Sequence, residues 1–166
     1  MDTAALRRAA IFGELTEAEA ARLLAAARPR QCYKGECLFL LGDHADRFYV
    51  VLAGKVELTF PLSFGGVVRD VPVESKTPGS AFGWSALVKP YRFALSARAA
   101  ETAELAAFLR QDLFGVFEAE PRIGLVVMQH IAEIVGRRLL QVQALWAREL
   151  QRAVTDSLAA SGEPGR

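Results

Sequence analysis

The feature that most constrains this chain is its punctuation between Arg30 and Leu109. Short apolar runs at Gln31 to Tyr33, Cys37 to Leu41, Phe48 to Ala53, Lys55 to Phe60, Val67 to Val73, Phe93 to Ala100 and Ala103 to Leu109 alternate with turn residues. Those turns are Lys34-Gly35, Gly42-Asp43, Gly54, Gly65-Gly66 and Pro78-Gly79, and they recur about every eight to twelve positions, the rhythm of antiparallel strands. Too many of the runs lack an intervening helix for a parallel sheet, so the pattern favours a jelly-roll-like double sheet, an antiparallel β-roll.

Helical texture flanks the strands, which makes the expected class α+β. Thr3 to Ala10 has helical propensity, and Ile11 to Leu15 supplies apolar anchors around Gly13. Thr16 followed by Glu19 is a capping-box pattern, and Ala18, Ala21, Leu24 and Ala25 then keep helical spacing until Pro29. After Arg110 a short helix is expected over Gln111 to Glu118, with Pro121 as the first residue of a long one. That last helix is expected from Ile123 to about Ala153, and its apolar stripe is Val127, Ile131, Val135, Leu139, Val142, Trp146 and Leu150. Arg137, Arg138, Gln141, Arg148, Glu149 and Arg152 mark its wet face. Such a helix has more apolar length than a small domain covers, so the stripe is assigned to a homodimer interface. The alternative, a helix laid wholly across its own sheet, has to span about 45 Å at 1.5 Å per residue. Residues 1–155 then form one domain and residues 156–166, ending in S-G-E-P-G-R, a loose tail.

Composition excludes several functions. Of the 166 residues 52% are hydrophobic, ample for a core, and 20 Lys+Arg against 19 Asp+Glu leave a net charge of +1. There is no global field to draw the chain to nucleic acid or membrane, so any partner has to be read from a site. The run Ile123 to Leu140 is interrupted by Gln129, His130, Glu133, Arg137 and Arg138, and no membrane span is expected. The start M-D-T-A-A-L-R-R has no hydrophobic signal core, which points to a cytoplasmic protein. Cys32 and Cys37 flank Y-K-G-E at a spacing that suits neither zinc nor thioredoxin chemistry, and they are read as free thiols. His44 lies beside a turn and His130 inside a helix, neither with a second ligand at metal spacing, so no metal, haem or other cofactor and no enzymatic activity is expected.

One stretch, Gly79 to Ala97, carries chemistry. Pro78, Gly79 and Gly83 break the strand period, and Trp84 to Leu87 can form one helical turn whose free N–H groups suit an anion. Arg92 adds a guanidinium able to bind a phosphate in bidentate fashion.

Two segments resemble the cyclic-nucleotide-binding domain family. Y-K-G-E-C-L-F-L-L-G-D-H-A-D-R-F-Y-V-V-L-A-G-K-V-E-L, Tyr33 to Leu58, is similar to the family's Gly-Asp turn, aromatic-aliphatic strand and Gly-x-Val strand start. F-G-W-S-A-L with Y-R-F-A, Phe82 to Leu87 and Tyr91 to Ala94, is similar to its phosphate-binding cassette. The resemblance implies about eight strands, an N-terminal helical cap, and a C-terminal helix that closes over ligand or pairs with a partner. It also implies a ligand site of Phe82, Gly83, Trp84, Ser85, Ala86, Arg92, Phe93, Ala94, Leu95 and Ser96, for a small anion such as cyclic AMP or cyclic GMP.

Two positions depart from the family pattern. Trp84 stands where a glutamate accepts the ribose hydroxyl, and Leu95 where a Ser or Thr touches phosphate or base; Ser85 and Ser96 are the nearest hydroxyls. Losing a charged hydrogen-bond partner costs about 1.5–3 kcal/mol, or about ten- to a hundred-fold in affinity. Two readings follow, a ligand sensor signalling through its C-terminal helix, and a ligand-free dimerising scaffold whose pocket Trp84, Phe93 and Tyr91 have filled. The dozen or so residues after the long helix are too few for a helix-turn-helix, so DNA binding by this chain alone is not expected.

Overall fold

The structure, a computed structural model, describes residues 3–161. The capping box forms as its spacing predicts: Thr16 Oγ1 accepts from Glu19 N at 3.3 Å, and Glu19 accepts from Thr16 N at 2.8 Å. It starts α2 (Glu17–Ala26), which follows α1 (Thr3–Arg7) and one 3₁₀ turn (Ala10–Phe12), so the first expected helix is broken after Arg7. α2 stops at Ala26, short of Pro29, because the chain passes directly into β1 (Ala27–Cys32). Pro29 is tolerated there because β1 is an edge strand.

The remaining strands are β2 (Cys37–Phe39), β3 (Arg47–Ala53), β4 (Val56–Phe64), β5 (Val67–Lys76), β6 (Ala81–Phe82), β7 (Ser96–Ala99) and β8 (Ala103–Leu109). They pair antiparallel in two four-stranded sheets, ordered β1-β8-β3-β6 and β2-β7-β4-β5, which is the jelly-roll-like double sheet that the turn rhythm favours. Two-residue β6 is too short to show any alternation and escapes sequence reading. The strand expected from Phe93 shrinks to β7, with Phe93 to Leu95 forming its approach.

β3 is buried on both faces, and its alternate residues build two layers of core. Phe48 meets Phe12 edge-on at 6.2 Å, and Phe12 meets Phe108 at 5.9 Å, which docks the N-terminal segment on the first sheet. Tyr49 points the other way and stacks on Phe82 at 5.0 Å and Phe39 at 6.0 Å, joining the two sheets. Gly54 allows β3 to turn into β4: at φ 77 it lies so close to the 102–103 backbone that an added Cβ would be 2.1 Å from Thr102 O.

β4 and β5 turn at Gly65-Gly66, both with positive φ (55 and 84), as a tight two-residue hairpin requires. β7 pairs with β4 only as far as Thr59, so beyond it the hairpin continues as a two-stranded ribbon. Phe60, Leu62, Phe64, Val67 and Val68 are exposed on that ribbon.

α3 covers Arg110–Ala119 and α4 Pro121–Ser161, with Pro121 in the first turn as expected. α4 runs on past Ala153 and past the domain limit placed at 155; residues 162–166 of the expected tail lie outside the described residues. The chain divides into two units, one ending at Met128 and the second beginning at Gln129, where sequence reading expects a single unit to 155. The first holds both sheets, α1 to α3 and the first turns of α4; the second is the rest of that helix. In the stripe assigned to dimerisation, Val127 in the first unit is buried, whereas in the second Ile131 is buried, Val135 half-buried, and Leu139, Val142, Trp146 and Leu150 exposed. Among the described residues no helix is long and apolar enough to cross a membrane.

Candidate functional site

β6 ends at Phe82, and Gly83 turns the chain into one 3₁₀ turn, Trp84–Ala86. Gly83 has φ 76, a conformation that side chains resist, and an added Cβ would lie 3.0 Å from Arg47 O and 3.3 Å from Tyr49 Cδ2. Glycine is therefore required twice at this position, for torsion and for space. Ala86 N donates to Gly83 O at 2.9 Å and Leu87 N to Trp84 O at 2.9 Å. The amides of Trp84 and Ser85 belong to the first turn, where a helix supplies no acceptor of its own. Ser85 and Ala86 are buried and Trp84 is half-buried.

Arg92 stands on an exposed segment laced to the turn that begins at Gly42. Gly42 N donates to Phe93 O at 2.8 Å, Phe93 N to Asp43 O at 3.0 Å, and Ala45 N to Tyr91 O at 2.8 Å, around a backbone bridge between His44 and Arg92. The Arg92 guanidinium donates from Nη1 to Gly42 O at 2.8 Å. A neutral carbonyl satisfies one donor but brings no negative charge to the guanidinium.

Phe82, Phe93 and Leu95 of the expected site are apolar and packed. Phe93 is buried and stacks on Phe39 at 3.6 Å between ring centroids and 10° between planes. Phe39 continues to Tyr49 and Phe82, so Phe82, Gly83 and Phe93 meet around two aromatic residues, Phe39 and Tyr49, that sequence reading did not assign to the site. The signal for them was present only as strand pattern. Burial raises the Tyr49 phenol above its ordinary value and keeps it protonated. Leu95 is buried and Ala94 exposed. Ser96 Oγ accepts from Leu41 N at 3.0 Å, which ties β7 to the segment leaving β2 and leaves the hydroxyl proton to donate.

Of the two thiols, Cys32 is buried and donates weakly to Ala103 O at 3.5 Å, and burial raises it above the usual thiol range; Cys37 is exposed. Among the described residues no three His, Cys, Asp or Glu side chains gather as a metal site.

The family model described as the cyclic nucleotide-binding domain matches residues 29–120, which include the Gly42 turn, Gly83 and Arg92. The cyclic AMP receptor protein of Thermus thermophilus is 32% identical over 106 residues, 64% of this chain and 46% of that protein. The cAMP-dependent protein kinase regulatory subunit of Yarrowia lipolytica is 35% identical over 79 residues, 47% of this chain and 19% of that protein. The chain thus spans less than half the length of either relative. Among solved structures, the N-terminal domain of a transcriptional regulator from Streptomyces coelicolor A3(2) superposes with a TM-score of 0.68 at 26% identity, covering 86% of this chain and 94% of the other. The Thermus thermophilus catabolite activator protein gives 0.69 at 27% identity, covering 81% of this chain and 62% of the other. The match of the family model over more than half of the sequence and the likeness of fold lead to one conclusion: the chain belongs to the cyclic nucleotide-binding domain family.

Proposed function

We propose that this chain is a regulatory sensor module that takes a small anionic ligand between the Trp84–Ser85 amides and Arg92, and signals through α4. Its role is regulatory and not catalytic. The observation that carries the reading is Arg92, whose guanidinium is exposed and rests on a carbonyl, so its charge is available to a phosphate. A cyclic nucleotide is the first ligand to test, since the Thermus relative is named for cyclic AMP. Trp84 in the glutamate's place and buried Leu95 remove polar partners for a sugar and base, which supports weak nucleotide affinity or an anion of different shape.

Output runs through α4. The exposed Leu139, Val142, Trp146 and Leu150 favour pairing with the α4 of a second copy, a homodimer whose downstream protein partner would read the change. One observation favours the scaffold reading instead: the Phe39–Phe93 stack occupies the interior next to Gly83 with ring on ring.

Calorimetric titration with cyclic AMP and cyclic GMP separates the two. Saturable heat that is lost in Arg92→Ala supports the sensor. No heat for either nucleotide at about millimolar concentration, the weak end of specific binding, removes the ordinary cyclic-nucleotide sensor.

A further inference from the structure

Arg110 opens α3 and lies outside the two segments that carry the sequence resemblance, yet its side chain makes three contacts, two with the turn that begins at Gly42 and one with the Arg92 segment. Nη1 donates to Ala45 O at 3.2 Å, Nη2 lies 3.3 Å from His44 Nε2, and the guanidinium carbon stands 4.3 Å from the centre of the Tyr91 ring. Its backbone N–H adds a bond to Asp46 O at 2.8 Å. His44, Ala45 and Asp46 belong to the turn that begins at Gly42; Tyr91 belongs to the segment carrying Arg92. These two stretches form the small ladder described above, and Arg110 grips both of its sides. Tyr91 itself has φ 58, a conformation unusual for a bulky side chain that persists only where its surroundings hold it. The guanidinium over its ring is one such restraint.

We infer that Arg110 is a positioning residue for Arg92: it clamps the 42–46 turn to Tyr91 and thereby fixes where the Arg92 guanidinium is presented. The consequence for binding rests on the sensor reading above; the clamp does not. A guanidinium only donates, so His44 Nε2 accepts from it only while the imidazole is neutral with its proton on Nδ1.

Amide hydrogen exchange on the full chain without ligand tests the clamp. Arg110→Ala is expected to speed exchange at the Ala45 and Phe93 amides by about tenfold, with Val50 in β3 unchanged as a control for the global fold. Arg110→Lys is expected not to restore protection, because an ammonium cannot stack and bond two acceptors together. Unchanged exchange in Arg110→Ala or full rescue by lysine would each overturn the proposal. With cyclic AMP as probe, Arg110→Ala raises Kd about tenfold. If the wild type binds no cyclic AMP, the cyclic AMP form of the sensor reading fails, and the exchange experiment still decides the role of Arg110.

Discussion

Thr59 lies at the end of the β4–β7 pairing with its side chain buried and no hydrogen-bond partner for Oγ1 among the described residues. An unpaired buried hydroxyl is a cost, and replacing it by a methyl of the same shape removes that cost. Thr59→Val is therefore expected to raise stability by about 1 kcal/mol, seen as a higher denaturant midpoint with an unchanged slope; a lower midpoint would show that the hydroxyl is satisfied in solution. Residues differ in how far their roles can be read ahead of the structure. The turn at Gly83 is legible because it depends on the glycine's own torsion and on nearby sequence. Phe39 is not, because its stack on Phe93 depends on the register of β2 against β7, which shifts between Cys37 and Phe39. Nothing in an amino-acid pattern announces a shift of that kind. Arg110 is hidden for the same reason, since its partners come from a turn and a loop far away in sequence.

Among the elements, α2 and α4 meet at Glu19. The carboxylate that closes the capping box also takes the Arg122 guanidinium from the first turn of α4. The Arg122 hydrogen bond is the largest cause, and the bonds from Thr16 add to it; together they bring Glu19 from 4.5 down to about 2. A lowered carboxylate stabilises the fold fully above its ordinary value, and that contribution is lost as pH falls from about 4.5 towards 2. Wild-type Tm is expected to drop across this window more steeply than that of Glu19→Gln, which already starts lower at neutral pH. Parallel melting curves for the two proteins would remove the Glu19–Arg122 pair from the account. The capping box itself could be read from the spacing of Thr16 and Glu19, and so could Pro121 as a helix opener. The end of α4 could not, because S-L-A-A-S is compatible with either a tail or continued helix, and the chain keeps the helix through Ser161.

For the whole molecule, the controlling fact is how much of α4 is left uncovered. Leu139 is 57% exposed and Trp146 65%, far more than large apolar side chains keep without a use. Sedimentation is expected to give a dimer for the wild type and a monomer for a Leu139→Glu/Trp146→Glu double variant with unchanged helix content. A wild type that sediments as a monomer at about 100 μM, where even weak pairs associate, would refute the pairing. Leu140 and Leu145 are equally exposed off the stripe, so the apolar surface is broader than the three- and four-residue spacing implies.

The exposed ribbon of β4 and β5 has a practical corollary. Dyes that brighten on apolar surface are the usual reporters in thermal screening, and Phe60, Leu62, Phe64, Val67 and Val68 offer them such a surface on the native protein. A fluorescent trace would start bright and record dye leaving the hairpin as well as the chain melting. Heat of binding carries no such background, which makes calorimetry the sounder screen for ligands of this protein.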